Sequence, residues 1–151
     1  MKKREIQRLK DGDLSAYREL MELFAREFEE NETYLGAIPS DLYVSKLLKD
    51  SNMVFLIERS DFEIVGGLVA YILRKFEQER SELYIYDLAV DRGNRREGVA
   101  TRLINALKPI AKAADAWVIF VQADHGDEPA TKLYESLGER EEVLHFDIGL
   151  S

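Results

Sequence analysis

The stretch from Glu82 to Ile110 limits the choice of folds more than any other part of the chain. Glu82-Leu83-Tyr84-Ile85-Tyr86-Asp87-Leu88-Ala89-Val90 carries β-formers at both parities, so it predicts a strand covered on both faces. A glycine-bearing basic turn, Asp91 to Glu97, follows at once. Val99, Leu103, Ala106, Leu107 and Ile110 then fall in helical register, with Pro109 expected to kink or end that helix. A strand buried on both sides needs a layer on each, and the remaining segments supply them. Ile6-Gln7-Arg8-Leu9 alternates as a short strand does. After the turn Asp11-Gly12-Asp13, Leu14, Tyr17, Met21, Phe24 and Phe28 share one helix face, with Asp13 as its expected cap. A shorter helix is predicted over Ser40 to Lys49.

Met53 to Glu58 and Ile64 to Leu73 read as an antiparallel hairpin, with a bulge expected at Gly66-Gly67. Trp117 to Val121 is a buried strand, Asp127 to Gly138 a helix, and Glu142 to Ile148 a last alternating strand with Leu144, Phe146 and Ile148 on one face. The predicted order is β-α-α-β-β-β-α-β-α-β. It describes a mixed sheet with helices on both faces, α/β or α+β, in a single domain over residues 1–151.

Composition narrows the function classes. With 21 Lys and Arg against 29 Asp and Glu the net charge is −8, which disfavours nucleic acid and draws in cationic small molecules. There is no cysteine, so disulfides, zinc-thiolate sites and thiol nucleophiles are excluded, and two histidines offer little for a metal. No apolar run approaches the roughly 18 residues of a membrane span. Met1-Lys2-Lys3-Arg4-Glu5 turns polar at once, so a cytoplasmic location is the default expectation.

The sharpest chemical signal is Leu88 to Thr101. A helix N-terminus offers unpaired N–H groups and partial positive charge. Gly98 and Ala100 leave no bulk between that backbone and a ligand, and Arg95 and Arg96 add full charges. Together they would hold a pyrophosphate. The alternative is a solvated basic turn before a closely packed helix. The segment is neither a P-loop, lacking Gly-Lys-Ser/Thr, nor the dinucleotide fingerprint, whose glycine spacing differs.

Arg95-x-x-Gly98-x-Ala100 after a strand resembles the acetyl-CoA motif of the GNAT acetyltransferases, and Asp127-x-x-Ala130-x-x-x-Tyr134-x-x-x-Gly138 resembles their second motif. The order of elements fits nearly the whole chain. A closer resemblance covers about Phe76 to Asp147. Lys75-Phe76-Glu77-Gln78, Ser81 to Val90, Val121-Gln122-Ala123-Asp124 and Arg140 to Asp147 are similar to the type I aminoglycoside 3-N-acetyltransferases. The chain departs from them at His125 and Phe120, where they tend to have Tyr, and at Pro109.

The resemblance implies a mostly antiparallel GNAT sheet and transfer of acetyl from acetyl-CoA, without a metal, to an amine of an aminoglycoside. It implies that backbone groups near Leu88, Ala89 and Val90 face the thioester carbonyl and pantetheine. Arg95, Arg96, Gly98, Val99, Ala100 and Thr101 would hold the diphosphate. Tyr134 would protonate or hydrogen-bond the departing sulfur. The resembled enzymes are often dimeric through their last strands, and the C-terminal strand here is free to exchange or pair; no feature of the sequence decides for or against a homodimer.

Asp87 stands out on physical grounds, because an unpaired carboxylate in an apolar strand costs several kcal/mol, roughly. Either an arginine satisfies it or it faces a polar cleft, where it would bind substrate or act as base. Asp124, Asp127, Glu128 and Asp147 form an expected acidic rim for a polycation, and Tyr84 a candidate pocket wall. Asp127 reads equally as a helix cap, and His125 as an exposed loop histidine. Two rival functions remain: acetylation of a polyamine or protein amine on the same fold, and a non-catalytic acyl-CoA-binding module.

Overall fold

In a computed structural model that describes residues 2–151, the chain forms one five-stranded sheet in the order β1-β2-β3-β4-β5. The strands are β1 (Arg4–Arg8), β2 (Met53–Ser60), β3 (Glu63–Arg74), β4 (Ser81–Val90) and β5 (Ala116–Val121). The helices are α1 (Leu14–Phe28), α2 (Asn31–Leu35), α3 (Asp41–Lys49), α4 (Val99–Ala113) and α5 (Glu128–Leu137). Pairing is antiparallel except between β4 and β5, which are parallel. The mixed, mostly antiparallel sheet with helices on both faces is therefore as expected.

Two cores explain why the central strands are apolar at both parities. On one face Tyr17, Leu20 and Phe24 of α1 and Val44 of α3 pack on Phe55, Ile57, Val69 and Ala89. On the other, Val99, Leu103 and Leu107 of α4 pack on Val54, Leu56, Leu68, Leu83 and Ile85. Glu58 of β2, 1% exposed, is held by Arg102 of α4 at 2.8 and 2.9 Å and by Arg4 of β1 at 2.9 Å. A buried carboxylate needs such partners. Burial pushes its pKa up, but the two guanidiniums outweigh that and leave it lowered.

Several expectations are corrected. Trp117 to Val121 forms a strand, β5, but not a buried one: it lies at the sheet edge, none of its residues is fully buried and Trp117 is 56% exposed. Asp13 occupies the cap position of α1 but its side chain does not bond the helix; its carboxylate instead accepts from the Lys10 N–H at 2.8 Å, closing the preceding turn. The helix α4 runs through Pro109 to Ala113. Pro109 and Asn105, whose carbonyl loses its partner, both lie on the exposed side where water replaces the bond. A five-residue helix, α2, falls between the two predicted ones; at that length it leaves no periodic signal. Glu142 to Ile148 forms no strand within the chain, and everything from Leu137 on is exposed. The bulge between β2 and β3 falls at Val65, beside the predicted Gly66.

Candidate functional site

The pairing of β4 with β5 stops at Ile85 and Val121. Beyond that point β5 has ended while β4 continues to Val90, bonded to β3 alone, so that edge of β4 lies open. Backbone donors and acceptors along that edge of β4 are left for a ligand.

A second irregularity decides which side chains reach this opening. Val69 of β3 pairs with Asp87, but the next residue, Ala70, pairs with Ile85, so Tyr86 is an extra, bulged residue. A bulge reverses the alternation beyond it. Leu83 and Ile85 face the α4 core before the bulge, and Leu88 and Val90 face it after. Asp87 and Ala89 thereby fall on the α1 face.

On that face the Tyr34 hydroxyl donates to Asp87 Oδ2 at 2.7 Å. No arginine or lysine pairs with Asp87 among the described residues; of the two expected solutions the arginine is not used, and the half-buried carboxylate faces a phenol on the open side of the strand. Burial raises the Asp87 pKa, the Tyr34 hydrogen bond opposes that, and Glu30 adds repulsion; the net direction is up. The Tyr34 hydroxyl is driven above its ordinary range by burial first and by its carboxylate partner second. Aromatic rings line the same region. Tyr84 stacks on Phe120 at 4.6 Å and donates to Gln122 Oε1 at 2.8 Å, while Tyr86 meets both Tyr84 and Tyr71 at 5.7 Å.

On the opposite face of β4, Tyr134 of α5 packs against the α4 core with Leu88, Val90 and Val121. Burial, with a smaller contribution from Asp127, pushes its pKa up to about 12, so at neutral pH it is a phenol with a proton to give. Its hydroxyl makes no hydrogen bond to a protein group among the described residues.

The N-terminus of α4 packs at the same end of β4, Val99 sharing a core with Leu88 and Val90. After a single 3-10 turn, Arg92–Asn94, the chain turns through Arg96 at φ 64° and Gly98 at φ 78°. The left-handed conformation at Gly98 suits glycine, and no side chain caps the helix there. The first helical bond runs from Arg102 N–H to the Gly98 carbonyl at 3.0 Å, so the N–H groups of Val99, Ala100 and Thr101 precede it unpaired. Arg95 bonds Glu27 at 3.1 Å, and Arg26 and Arg92 approach the same carboxylate at 3.6 and 3.7 Å. Arg96 forms no ion pair among the described residues. An uncapped helix start beside a local excess of guanidinium fits an anionic ligand such as a diphosphate.

The acidic rim is less closely assembled. Asp127 caps α5, its carboxylate accepting from the Ala130 N–H at 3.3 Å, and its own N–H bonds the Asp124 carbonyl at 3.2 Å. Asp124 and Glu128 are exposed beside it, as is His125. Asp147 lies on the exposed tail, where its carboxylate meets His145 Nε2 at 2.8 Å. The residues that sequence reasoning missed are Tyr34, Glu30 and Tyr71. Tyr34 and Glu30 sit in and before a helix too short to show a period, and Tyr71 looks like ordinary strand packing.

A groove of about 1130 Å³ lies at the other end of the sheet, between the β3–β4 turn and the C-terminal half of α4, and none of these residues lines it. Among the described residues there is no cluster of acidic or histidine side chains able to hold a metal, and no helix long and apolar enough to cross a membrane.

Residues 17–138 match the model of the acetyltransferase (GNAT) family. No curated protein matches the chain. Among solved structures, an aminoglycoside acetyltransferase from an uncultured soil metagenomic sample is 48% identical, with 99% of each chain covered and a TM-score of 0.96. A second soil-metagenome aminoglycoside acetyltransferase, solved in complex with sisomicin, is 33% identical over 98% of this chain and 97% of its own, with a TM-score of 0.90. A ribosomal-protein-alanine N-acetyltransferase from Brucella melitensis, 22% identical over 99% of this chain and 100% of its own, shares the fold with a TM-score of 0.75.

Proposed function

Because the chain belongs to the acetyltransferase (GNAT) family, we propose that it moves an acetyl group from acetyl-CoA to an amine of an aminoglycoside, working as one domain over residues 1–151. The 48% identical relative carries that substrate class, and the geometry supports it. Beside its open edge, β4 separates an anion-binding helix start and a protonated Tyr134 on one face from Asp87 and an aromatic wall on the other. An anionic cosubstrate and a cationic acceptor can then approach the opening from opposite sides.

The roles follow from that arrangement. Acetyl-CoA supplies an activated thioester. The N–H groups of Val99, Ala100 and Thr101, with Gly98 bare beside them and Arg96 free to close on it, hold the diphosphate; Arg95, engaged with Glu27, orders the turn. Backbone groups of Leu88, Ala89 and Val90 face the acyl carbonyl, where N–H donors stabilise developing negative charge. Asp87 accepts the proton that the attacking ammonium must lose, directly or through water, and its raised pKa makes it a better base than a guanidinium-paired carboxylate. Tyr134 gives its proton to the leaving sulfur. Tyr84 lines the acceptor side, and the exposed carboxylates of Asp124, Asp127 and Glu128, before and at the start of α5, attract a polycation toward the opening. The acetylated position is the 3-amino group, and a cytoplasmic location supplies the acetyl-CoA.

Release of free CoA with kanamycin, gentamicin, sisomicin or spermidine as acceptor tests this reading, with NMR of the product giving the position. Turnover with spermidine alone refutes the antibiotic substrate. Tight acetyl-CoA binding without turnover on any amine favours a binding module instead.

We also propose a homodimer, in which the tail Glu142–Ile148 pairs with a second copy. Among the described residues none after Ala111 is buried, although β5 is apolar throughout and α5 is amphipathic, and β5 has an unpaired edge. Leu144, Phe146 and Ile148 are 84%, 77% and 86% exposed. Covering three such side chains is worth about 5 kcal/mol or more per tail, and it would bring Asp147 against a neighbouring site. Light scattering should give the mass of a dimer, and Phe146→Asp with Ile148→Asp that of a monomer; a monomeric native chain refutes the proposal.

A further inference from the structure

We propose that Tyr34 is a positioning residue of the transfer site, its hydroxyl holding the Asp87 carboxylate in one orientation and fastening α2 to β4. The inference rests on the role of Asp87 proposed above and extends it to a residue outside both sequence motifs.

The helix α2 has five residues and none of them is buried, so it has little intrinsic stability. Its attachment to the body of the protein runs through Tyr34. The ring packs 5.7 Å from Phe24 and 5.8 Å from Phe28, centroid to centroid, and the hydroxyl ends on Asp87 Oδ2 at 2.7 Å. The chain reaches this position by reversing at Glu29, at φ 55°, where the Glu30 N–H bonds the Ala25 carbonyl at 3.0 Å. Asp87 arrives from the other side through the bulge at Tyr86. Two local irregularities thus bring one phenol to one carboxylate.

The choice of a phenol has a chemical consequence. The titratable groups that face Asp87 are Glu30 before α2, Tyr34 on α2, Tyr71 on β3 and Tyr84 on β4, while Phe24 and Phe28 of α1 pack on the Tyr34 ring. None is a cation. A neutral donor fixes the carboxylate and favours its charged form by one hydrogen bond, whereas a guanidinium would depress its basicity much further. Tyr34 therefore sets an orientation without removing the capacity to take a proton.

The test is Tyr34→Phe, which keeps the ring packing and removes the hydroxyl alone. The Asp87 carboxyl resonance, identified by its loss in Asp87→Asn, should titrate about one pH unit higher in the variant. The acidic limb of kcat/KM should move upward by the same amount, with KM for acetyl-CoA unchanged. An unmoved Asp87 titration overturns the inference whatever the activity does. A uniform loss of activity with an unmoved limb overturns it too, leaving a bond that only stabilises the fold. Failure of the base assignment shows separately, as an Asp87→Asn variant that keeps native turnover and its acidic limb.

Discussion

Gly66 should control acetyl-CoA binding without touching it. It lies on β3 between Glu58 of β2 and Val90 of β4. A Cβ there would stand 2.5 Å from Val99 Cγ1 and 3.3 Å from the Ala89 carbonyl oxygen. Carbon atoms pack at about 3.5–4.0 Å, so Val99 must retreat by about 1 Å. It is the first residue of α4, 2% exposed, and its branched side chain has one strongly preferred rotamer in a helix. The first turn of the helix has to move with it. Overpacking of this kind costs about 1–3 kcal/mol. At about 2–4 °C per kcal/mol for a chain of this length, Gly66→Ala should lower Tm by about 4–8 °C for a 2 kcal/mol loss. Displacing the N–H groups of Val99 to Thr101 by that amount should raise KM for acetyl-CoA about tenfold and leave KM for the amine nearly unchanged. Adding Val99→Ala removes the clashing methyl and should recover much of both losses. Thermal melts and initial rates on the two single variants and the double one give the coupling energy. Native Tm and KM in Gly66→Ala, or strictly additive losses in the double variant, refute the reasoning.

Tyr134→Phe should lower kcat about 100-fold with KM for acetyl-CoA little changed; steady-state rates check it, and an unchanged kcat removes the acid role. Gly98→Val places a branched side chain at φ 78°, so calorimetry should find acetyl-CoA binding abolished in a protein that still gives a cooperative melt. Full-strength binding would show that the helix start is not the cradle. Glu58 has a lowered pKa in the folded chain, so its contribution to stability is present above the ordinary glutamate range and is lost as pH falls through its folded value. The drop in Tm on acidification should therefore be shallower in Glu58→Gln than in the native chain; parallel curves contradict the pairing.

Most of the fold was legible because its signals are local. The register of Val99, Leu103 and Leu107, the two-parity strand at Ser81–Val90 and the turn residues around Gly12 and Gly138 each depend on a few neighbours in sequence. The Arg95 to Thr101 motif was readable for the same reason, since strand, turn and helix start are contiguous. Asp87 could be singled out by its chemistry, as a carboxylate where apolar residues surround it. Tyr34 could not, because its partner is 53 positions away and its helix is too short to show a period.

The layers, the glycine-led basic turn into α4 and the residue types placed there were readable in the chain alone, because periodicity and charge act over one or two turns of backbone. Only the tertiary structure decided where β4 and β5 part, which way the bulge at Tyr86 turns Asp87, and that a phenol rather than an arginine meets it. It also left the tail's alternating apolar residues uncovered within one chain, where local pattern alone predicted a paired strand. Alternation encodes that a strand wants a partner, and the partner's identity is set by which edge remains free once the rest has packed.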